Sequence, residues 1–361
     1  MKNKNRCKIL IAYHKPSTII KSDIFVPIHV GRSIVKKENK DGKLSKNDKK
    51  WLSTNLIGDN TGENISDLNH FFNEMSAIFW AWKNQKELDN PEYIGLMHYR
   101  RHFIFSENNK SRFAWLNKSR VFSYEYINKE YLKMLDEKYI NSLITEYDII
   151  SSHKYNANNL NDGHYYRNSK ERFAVVSGTS EKWYELMEEI IKRDYPSFVN
   201  ELEKLEKEPN HYLCNMFVMR KDLFDKYCEF TFDVSFKIYK EFSKESVDIW
   251  QTRAIGFLAE FLTSMFISAY KEHRPDKVKE LDLTYVENPE EICFLKKISN
   301  FIFSKRRYYM YKSKTILGKT RQKQINYFNE TNDLRQKYEY LIKRLEDLEI
   351  NLEEPKCQKY Q

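Results

Sequence analysis

Residues 90–105 read NPEYIGLMHYRRHFIF, and the order of residue types along this stretch decides the fold class. Asn90-Pro91 is a turn signal, because proline locks φ and has no N–H to donate. The run from Tyr93 to Tyr99 is apolar without alternation, which predicts a strand buried on both faces. It opens directly into His98, Tyr99, Arg100, Arg101 and His102. Doubly covered strands belong to α/β layers, and such sheets bind ligands at the carboxyl ends of their strands.

Working outward, KILIAY (8–13) repeats the pattern and ends on His14 and Lys15. FVPIHVG (25–31), YDIISS (147–152, ending on His153 and Lys154) and CNMFVM (214–219) are further extended pieces. A solvated loop is expected over 36–50. Helical spacing of Leu68, Phe71, Phe72, Met75, Ile78, Phe79 and Trp82 predicts one helix over 62–84, capped by Asn64 or Ser66. Helices are also expected around 125–145 and over 183–198, 202–208, 221–242 and 253–270. Strands alternating with helices for about 280 residues predict an α/β fold with a mainly parallel central sheet.

The 361 residues are 41% hydrophobic and 15% aromatic, ample core material for one enzyme domain with an appendage, and incompatible with global disorder. None of the nine glycines forms G-x-G, and there is no P-loop, G-x-S-x-G or H-E-x-x-H. Phosphate binding would therefore fall largely to side chains. The five cysteines are odd in number and never spaced C-x-x-C, against a disulfide framework or zinc knuckle and in favour of a reducing cytoplasm. The start, MKNKNRCKILIAYH, is read as a strand and not a signal peptide, and no window approaches the ~18 apolar residues of a membrane span.

Lys and Arg total 61 against 52 Asp and Glu, and ten of the cations fall within 292–323, which has no acidic residue. The body is thus near neutral and the tail basic. Residues 292–323 are read either as a basic amphipathic helix on anionic lipid at the inner face of the cytoplasmic membrane, or as a helix packed on the body. Leu334, Tyr338, Leu341, Leu345, Leu348 and Leu352 form a heptad seam, for a short coiled coil joining copies of the chain or a docked helix. The expected division is a body of 1–285, a basic helical segment of 286–330 and a coiled-coil-like helix and tail of 331–361. No nucleic-acid-binding pattern is present.

Two guanidiniums and two imidazoles after a core strand suit an anion, since arginine presents a planar fork to phosphate oxygens. GDNTGENIS (58–66), with Asp59, Asn64 and Ser66, precedes a helix start whose N–H groups also attract anions or ribose hydroxyls. Asn69, His70 and Glu74 follow; Glu74 interrupts an apolar helix face and is either functional or a polar edge.

The segments Asn64–Asn69 (N-I-S-x-x-N) with Trp80–Asn84 (W-A-W-K-N), Tyr93–Arg101 (Y-I-G-L-x-H-Y-R-R), His211–Met219 (H-x-x-x-N-M-F-V-M) and Arg253–Glu260 (R-x-x-G-F-L-x-E) resemble the bacterial DUF4422 family of capsular and exopolysaccharide glycosyltransferases. The resemblance runs from Lys8 to Leu283 and leaves out the tail. It departs from the family pattern at Gly163, His164 and Tyr165, where a His-rich stretch is shortened, and at Phe261, where an arginine is expected. It implies a GT-A-like fold that transfers a sugar, galactofuranose or another hexose, from a nucleotide-diphosphate donor such as a UDP-sugar to a lipid-linked or growing polysaccharide.

On that implication the donor diphosphate falls to His14, Lys15, Asp59, Asn64, Ser66, Asn69, His98, Tyr99, Arg100, Arg101 and His102. Acceptor or sugar contacts fall to His153, His164, His211 and Asn215. Many such enzymes hold a divalent metal on a D-x-D after a core strand; here H-Y-R-R stands there, so Arg100, Arg101 and His98 are expected to replace it. No cofactor is expected. Mn²⁺ or Mg²⁺ on His98 is disfavoured because hard ions prefer oxygen donors. Asp248 is the first candidate to take the acceptor proton and Glu260 the second, with a helix cap and an ion pair to Arg253 as their structural alternatives. The rival readings are a carbohydrate-binding scaffold using Trp80, Trp82 and Trp115, and a nucleic-acid binder.

Overall fold

The structure, a computed structural model, describes residues 6–37, 43–106, 120–124, 126–157, 166–207, 209–212 and 214–286, all within one compact unit. The expectations for Trp115, His164, 292–323, 334–352 and the tail beyond Val286 lie outside the described residues.

In chain order the strands are β1 Cys7–Tyr13, β2 Phe25–His29, β3 Ile57–Gly58, β4 Tyr93–His98, β5 Arg101–Phe103, β6 Val121–Tyr124, β7 Ile149–Ser152, β8 Tyr155–Asn156, β9 Asn210–His211, β10 Phe217–Arg220, β11 Val278–Leu281 and β12 Leu283–Val286. The α-helices are α1 Lys46–Asn55, α2 Asn69–Phe72, α3 Met75–Lys83, α4 Lys129–Leu132, α5 Glu137–Glu146, α6 Ser169–Ser177, α7 Lys182–Asp194, α8 Val199–Lys207, α9 Lys221–Phe242 and α10 Ala254–His273. None is long and apolar enough to cross a membrane among the described residues.

The main sheet runs β11-β7-β10-β4-β1-β2-β3. Every neighbouring pair is parallel except those of β10, which lies antiparallel between β4 and β7. β12 joins β5 and β6 as an extension beyond β4. The mainly parallel α/β architecture expected from the sequence is present. All seven residues of β1 are buried, as continuous apolar runs require. One face packs on α3, α7, α9 and α10, with Ile94, Leu96, Phe217 and Met219 pointing into that cluster. The other holds Ile9, Ile11, Met97 and Val218 with Ile140, Leu143 and Ile144 of α5. Each such aliphatic chain contributes about 1.5–3 kcal/mol by leaving water.

Two local expectations are corrected. The stretch 36–50 is not all loop: Ser45 accepts from Asp48 N and Asp48 accepts from Ser45 N, a capping box that starts α1. The single helix expected over 62–84 is broken at Asn73, whose φ of 49° lies in the left-handed region and turns the chain between α2 and α3. Close packing of α10 accompanies the break. A Cβ on Gly256 would lie 2.1 Å from Asn73 Nδ2, so a larger residue at this helical position would have to displace the Asn73 side chain. Trp80 is buried with its Nε1 on Thr61, and Trp82 stacks on Phe232 at 5.9 Å; both are core and not sugar platforms.

Asp59, expected at the donor, is instead a wholly buried tie. Its carboxylate accepts from Gly31 N (2.7 Å), Arg32 N (3.1 Å), Ser66 Oγ (2.5 Å) and Ser76 Oγ (2.7 Å). It thereby joins the turn after β2, the 3₁₀ turn Ser66–Leu68 before α2, and α3. Asp59→Ala orphans two N–H groups and the Ser66 hydroxyl, leaves the Ser76 hydroxyl only the Asn73 carbonyl, at 3.0 Å, as acceptor, and is expected to destabilise the protein by on the order of 3 kcal/mol. Denaturant unfolding tests this; a loss under about 1 kcal/mol would show that the tie is dispensable.

Candidate functional site

The order β3-β2-β1-β4 reverses direction at β1 and β4, and chains leaving the carboxyl ends of these two strands diverge around a crevice. A cleft of about 350 Å³ opens there. Its floor is Ala12, His14 and Lys15 at the end of β1, and His98, Tyr99, Arg100 and Arg101 at the end of β4 and just beyond it. One wall is Asn69, His70, Asn73 and Glu74 from the broken helix; the other is Thr252, Arg253, Phe257 and Glu260 at the amino end of α10, with Cys214 and Tyr285. Because β10 is antiparallel, its entry and not its exit reaches this end of the sheet, which delivers Cys214.

Lys15, Arg100, Arg101 and Arg253 give the cleft four permanent cations against the carboxyl groups of Glu74 and Glu260. Arg100 is anchored, donating from Nε to Val286 O (2.7 Å) and from Nη2 to Tyr285 OH (2.9 Å). The guanidinium of Arg101 makes no hydrogen bond or ion pair with a described residue; it lies 5.3 Å from the centroid of the Tyr285 ring. The Glu260 and Glu74 carboxyls act on it only through space, and a half-buried guanidinium whose N–H groups are not hydrogen-bonded to an acid suits an anion. The amino end of α10 adds positive partial charge.

His98 donates from Nε2 to the Cys214 carbonyl at 2.7 Å, since a carbonyl only accepts. Burial, aided by Arg101, pulls its pKa below the ordinary value, so it faces the cleft as a neutral imidazole. Cys214 and the next residue, Asn215, both have left-handed φ (65° and 53°), an uncommon pair for non-glycine residues and one that clusters at functional sites. Glu260 Oε2 is buried without a hydrogen-bond partner, 3.9 Å from Arg172 Nη1 and 3.8 Å from His211 Nε2. Burial raises its pKa; the Glu74 carboxylate adds to the rise, and Arg172, Arg101 and Arg253 oppose it.

Of the residues anticipated from sequence, His14, Lys15, Asn69, His98, Tyr99, Arg100, Arg101 and Glu260 meet in this cleft. His70 and Glu74, singled out beside Asn69, also line it; the other described candidates do not. Asn64 and Ser66 shape the loop, Asn64 Oδ1 accepting from Ser66 N. His102 is wholly buried on Tyr131 OH at 2.6 Å, its pKa pushed down to about 3 by burial and by His98. His153 faces Glu280 and Asp282. His211 is buried beside Tyr155 and Phe261, behind Glu260. Asn215 is buried against Glu74. Asp248 is exposed and takes the alternative of a helix cap, accepting at 2.8 Å from the backbone of Trp250 and of Gln251. Asn73, Thr252, Arg253, Phe257 and Tyr285 join the cleft without having been anticipated; Arg253 stood in a quoted motif without a role. Among the described residues no group of three or more His, Cys, Asp and Glu is placed to hold a metal ion.

A family model described as Domain of unknown function (DUF4422) matches residues 8–274. No curated protein matches the chain. The apo structure of WbbM, a bifunctional glycosyltransferase, is similar to this one with a TM-score of 0.65 and 30% identity. The match covers 79% of this chain and 46% of WbbM, so the chain spans about half the length of that relative.

The titrations give opposite slopes. A carboxyl with a raised folded pKa costs stability as pH climbs from its unfolded value through the folded one, so Glu260→Gln is expected to raise the melting temperature at pH 8 and not at pH 4. His29 and His102, lowered by burial from 6.5 to about 4 and about 3, protonate first in the unfolded chain. Their contribution is whole above pH 6.5 and is lost on acidification, at about 1 kcal/mol per pH unit for each group. Melting curves of both proteins from pH 4 to 8 check this; a Glu260→Gln protein no more stable than wild type at pH 8 would contradict the carboxyl's environment.

Proposed function

The chain belongs to the DUF4422 family, and from that premise and the chemistry of the cleft we propose that it is a glycosyltransferase that takes its sugar from a nucleotide-diphosphate donor. The observation that carries this reading is Arg101, a guanidinium with no hydrogen bond or ion pair to a described residue, beside Lys15, Arg100 and Arg253 at the switch point of the sheet. A diphosphate matches that charge, and the similarity to WbbM favours glycosyl transfer over other nucleotide chemistry. The expectation of a UDP-sugar donor with a GT-A-like site and a lipid-linked or growing polysaccharide acceptor is retained on the family resemblance.

In direct displacement, the bond from the anomeric carbon to the diphosphate oxygen breaks as the acceptor oxygen attacks. Charge accumulates on the leaving diphosphate, where fixed cations stabilise the transition state more than the ground state. We assign this to Arg100, Arg101 and Lys15. The acceptor hydroxyl proton passes to Glu260, which lines the cleft and whose raised pKa makes it a stronger base than an exposed carboxylate. Asp248, already engaged as a cap, becomes the weaker candidate.

Thermal stability with UDP, GDP, CMP and UDP-sugars, each in EDTA and in Mn²⁺, tests the reading. Stabilisation by a UDP compound in EDTA is expected, with Arg101→Gln weakening binding tenfold or more. A shift seen only with Mn²⁺ would transfer the arginines' role to a metal. No shift with any nucleotide, together with glycan binding, would replace the enzyme by a carbohydrate-binding scaffold.

A further inference from the structure

Glu74 stands oddly in a cleft whose balance of charge favours an anion. An ionised carboxylate would repel a diphosphate, so its presence calls for a different part of the ligand. Its placement is built from behind by a line of buried side chains. Tyr227 OH and Thr263 Oγ1 share a hydrogen bond of 2.9 Å; Thr263 Oγ1 donates to Asn215 Oδ1 at 2.9 Å; and Asn215 Nδ2 donates to Glu74 Oε1 at 2.9 Å. Tyr227, Thr263 and Asn215 are each at most 1% exposed. The same Asn215 amide also points at Gly256 O (3.4 Å), and the left-handed backbone at Cys214 and Asn215 holds it in place. A row of buried, mutually satisfied polar groups fixes geometry. Here it fixes one oxygen of Glu74, while the other makes no hydrogen bond to a described residue.

Resting on the reading of the cleft as a sugar-nucleotide site, we propose that Glu74 binds the hydroxyl groups of the transferred sugar, and that Asn215 and Thr263 are its positioning residues. A carboxylate is an acceptor only, and hydroxyls are the donors that a hexose supplies in number. On the wall beside the floor that carries the diphosphate-binding cations, Glu74 requires a polyol on the ligand and gains little from the nucleotide alone. It therefore selects nucleotide sugar over free nucleotide.

The test compares dissociation constants of the full chain for UDP, UDP-glucose and UDP-galactose by calorimetry, in wild type, Glu74→Gln and Thr263→Val. Glu74→Gln is close in shape and is expected to weaken the better-bound UDP-sugar tenfold or more relative to UDP, leaving UDP itself unweakened. Thr263→Val, which never touches ligand, is expected to shift the same ratio in the same direction by a smaller factor. An unchanged ratio in Glu74→Gln would overturn the assignment, as would an unchanged ratio with turnover abolished, which would make Glu74 the base. If wild type binds none of the three, the sugar-nucleotide reading and this one fall together; if it binds and the ratio does not respond to Glu74→Gln, this one falls alone.

Discussion

The buried carboxylate of Asp59 is the constraint on which the cleft depends. It accepts four hydrogen bonds, from two backbone N–H groups after β2 and from the hydroxyls of Ser66 and Ser76. A buried charge is tolerated only when its lone pairs are used, and here they are used by three separate segments. Those segments carry Gly31, the 3₁₀ turn before α2, and the start of α3. A Cβ at Gly31 would lie 2.5 Å from Asn69 Oδ1, so the turn after β2 is also pressed directly on the cleft wall. The wall that presents Asn69, Asn73 and Glu74 is therefore positioned from below by a residue that never meets the ligand.

Electrostatically the cleft combines fixed positive charge with groups held neutral. His98 is kept neutral by burial, and Glu260 is pushed toward its protonated form by burial and by Glu74. The arginines remain charged throughout. Lys15, Arg100, Arg101 and Arg253 outnumber the carboxyl groups of Glu74 and Glu260, so the balance of charge in the cleft is positive even with both carboxyls ionised.

The strands were legible because burial on both faces leaves an unbroken apolar run, and the polar residues that end β1 and β4 identified half of the cleft. The rest depends on contacts between distant segments. The break at Asn73 is invisible in helical periodicity, which continues through Met75, Ile78 and Phe79; it rests on a left-handed φ and on the close approach of Gly256. Asp59 reads as a loop residue until Gly31 and Ser76 arrive. Asp248 and Glu260 could not be told apart as candidates from sequence, because a cap and a cleft carboxylate have the same local sequence appearance. The antiparallel direction of β10 was equally hidden, as a four-residue strand carries no sign of its own polarity.

That reversed strand has a bearing on how the chain folds during synthesis. Phe217 pairs with Leu96 and with Ser151, so β10 fills the gap between β4 and β7. Until residue 220 has emerged, both neighbours present unpaired N–H and C=O groups along flat, apolar edges, the surfaces on which strands of other molecules add. Between the appearance of Ile149 and that of Arg220 one edge of β4 and both edges of β7 are open together; β10 covers one on each, and β11 later covers the last edge of β7. The same short strand that brings Cys214 and Asn215 to the cleft is the one whose late arrival ends that interval.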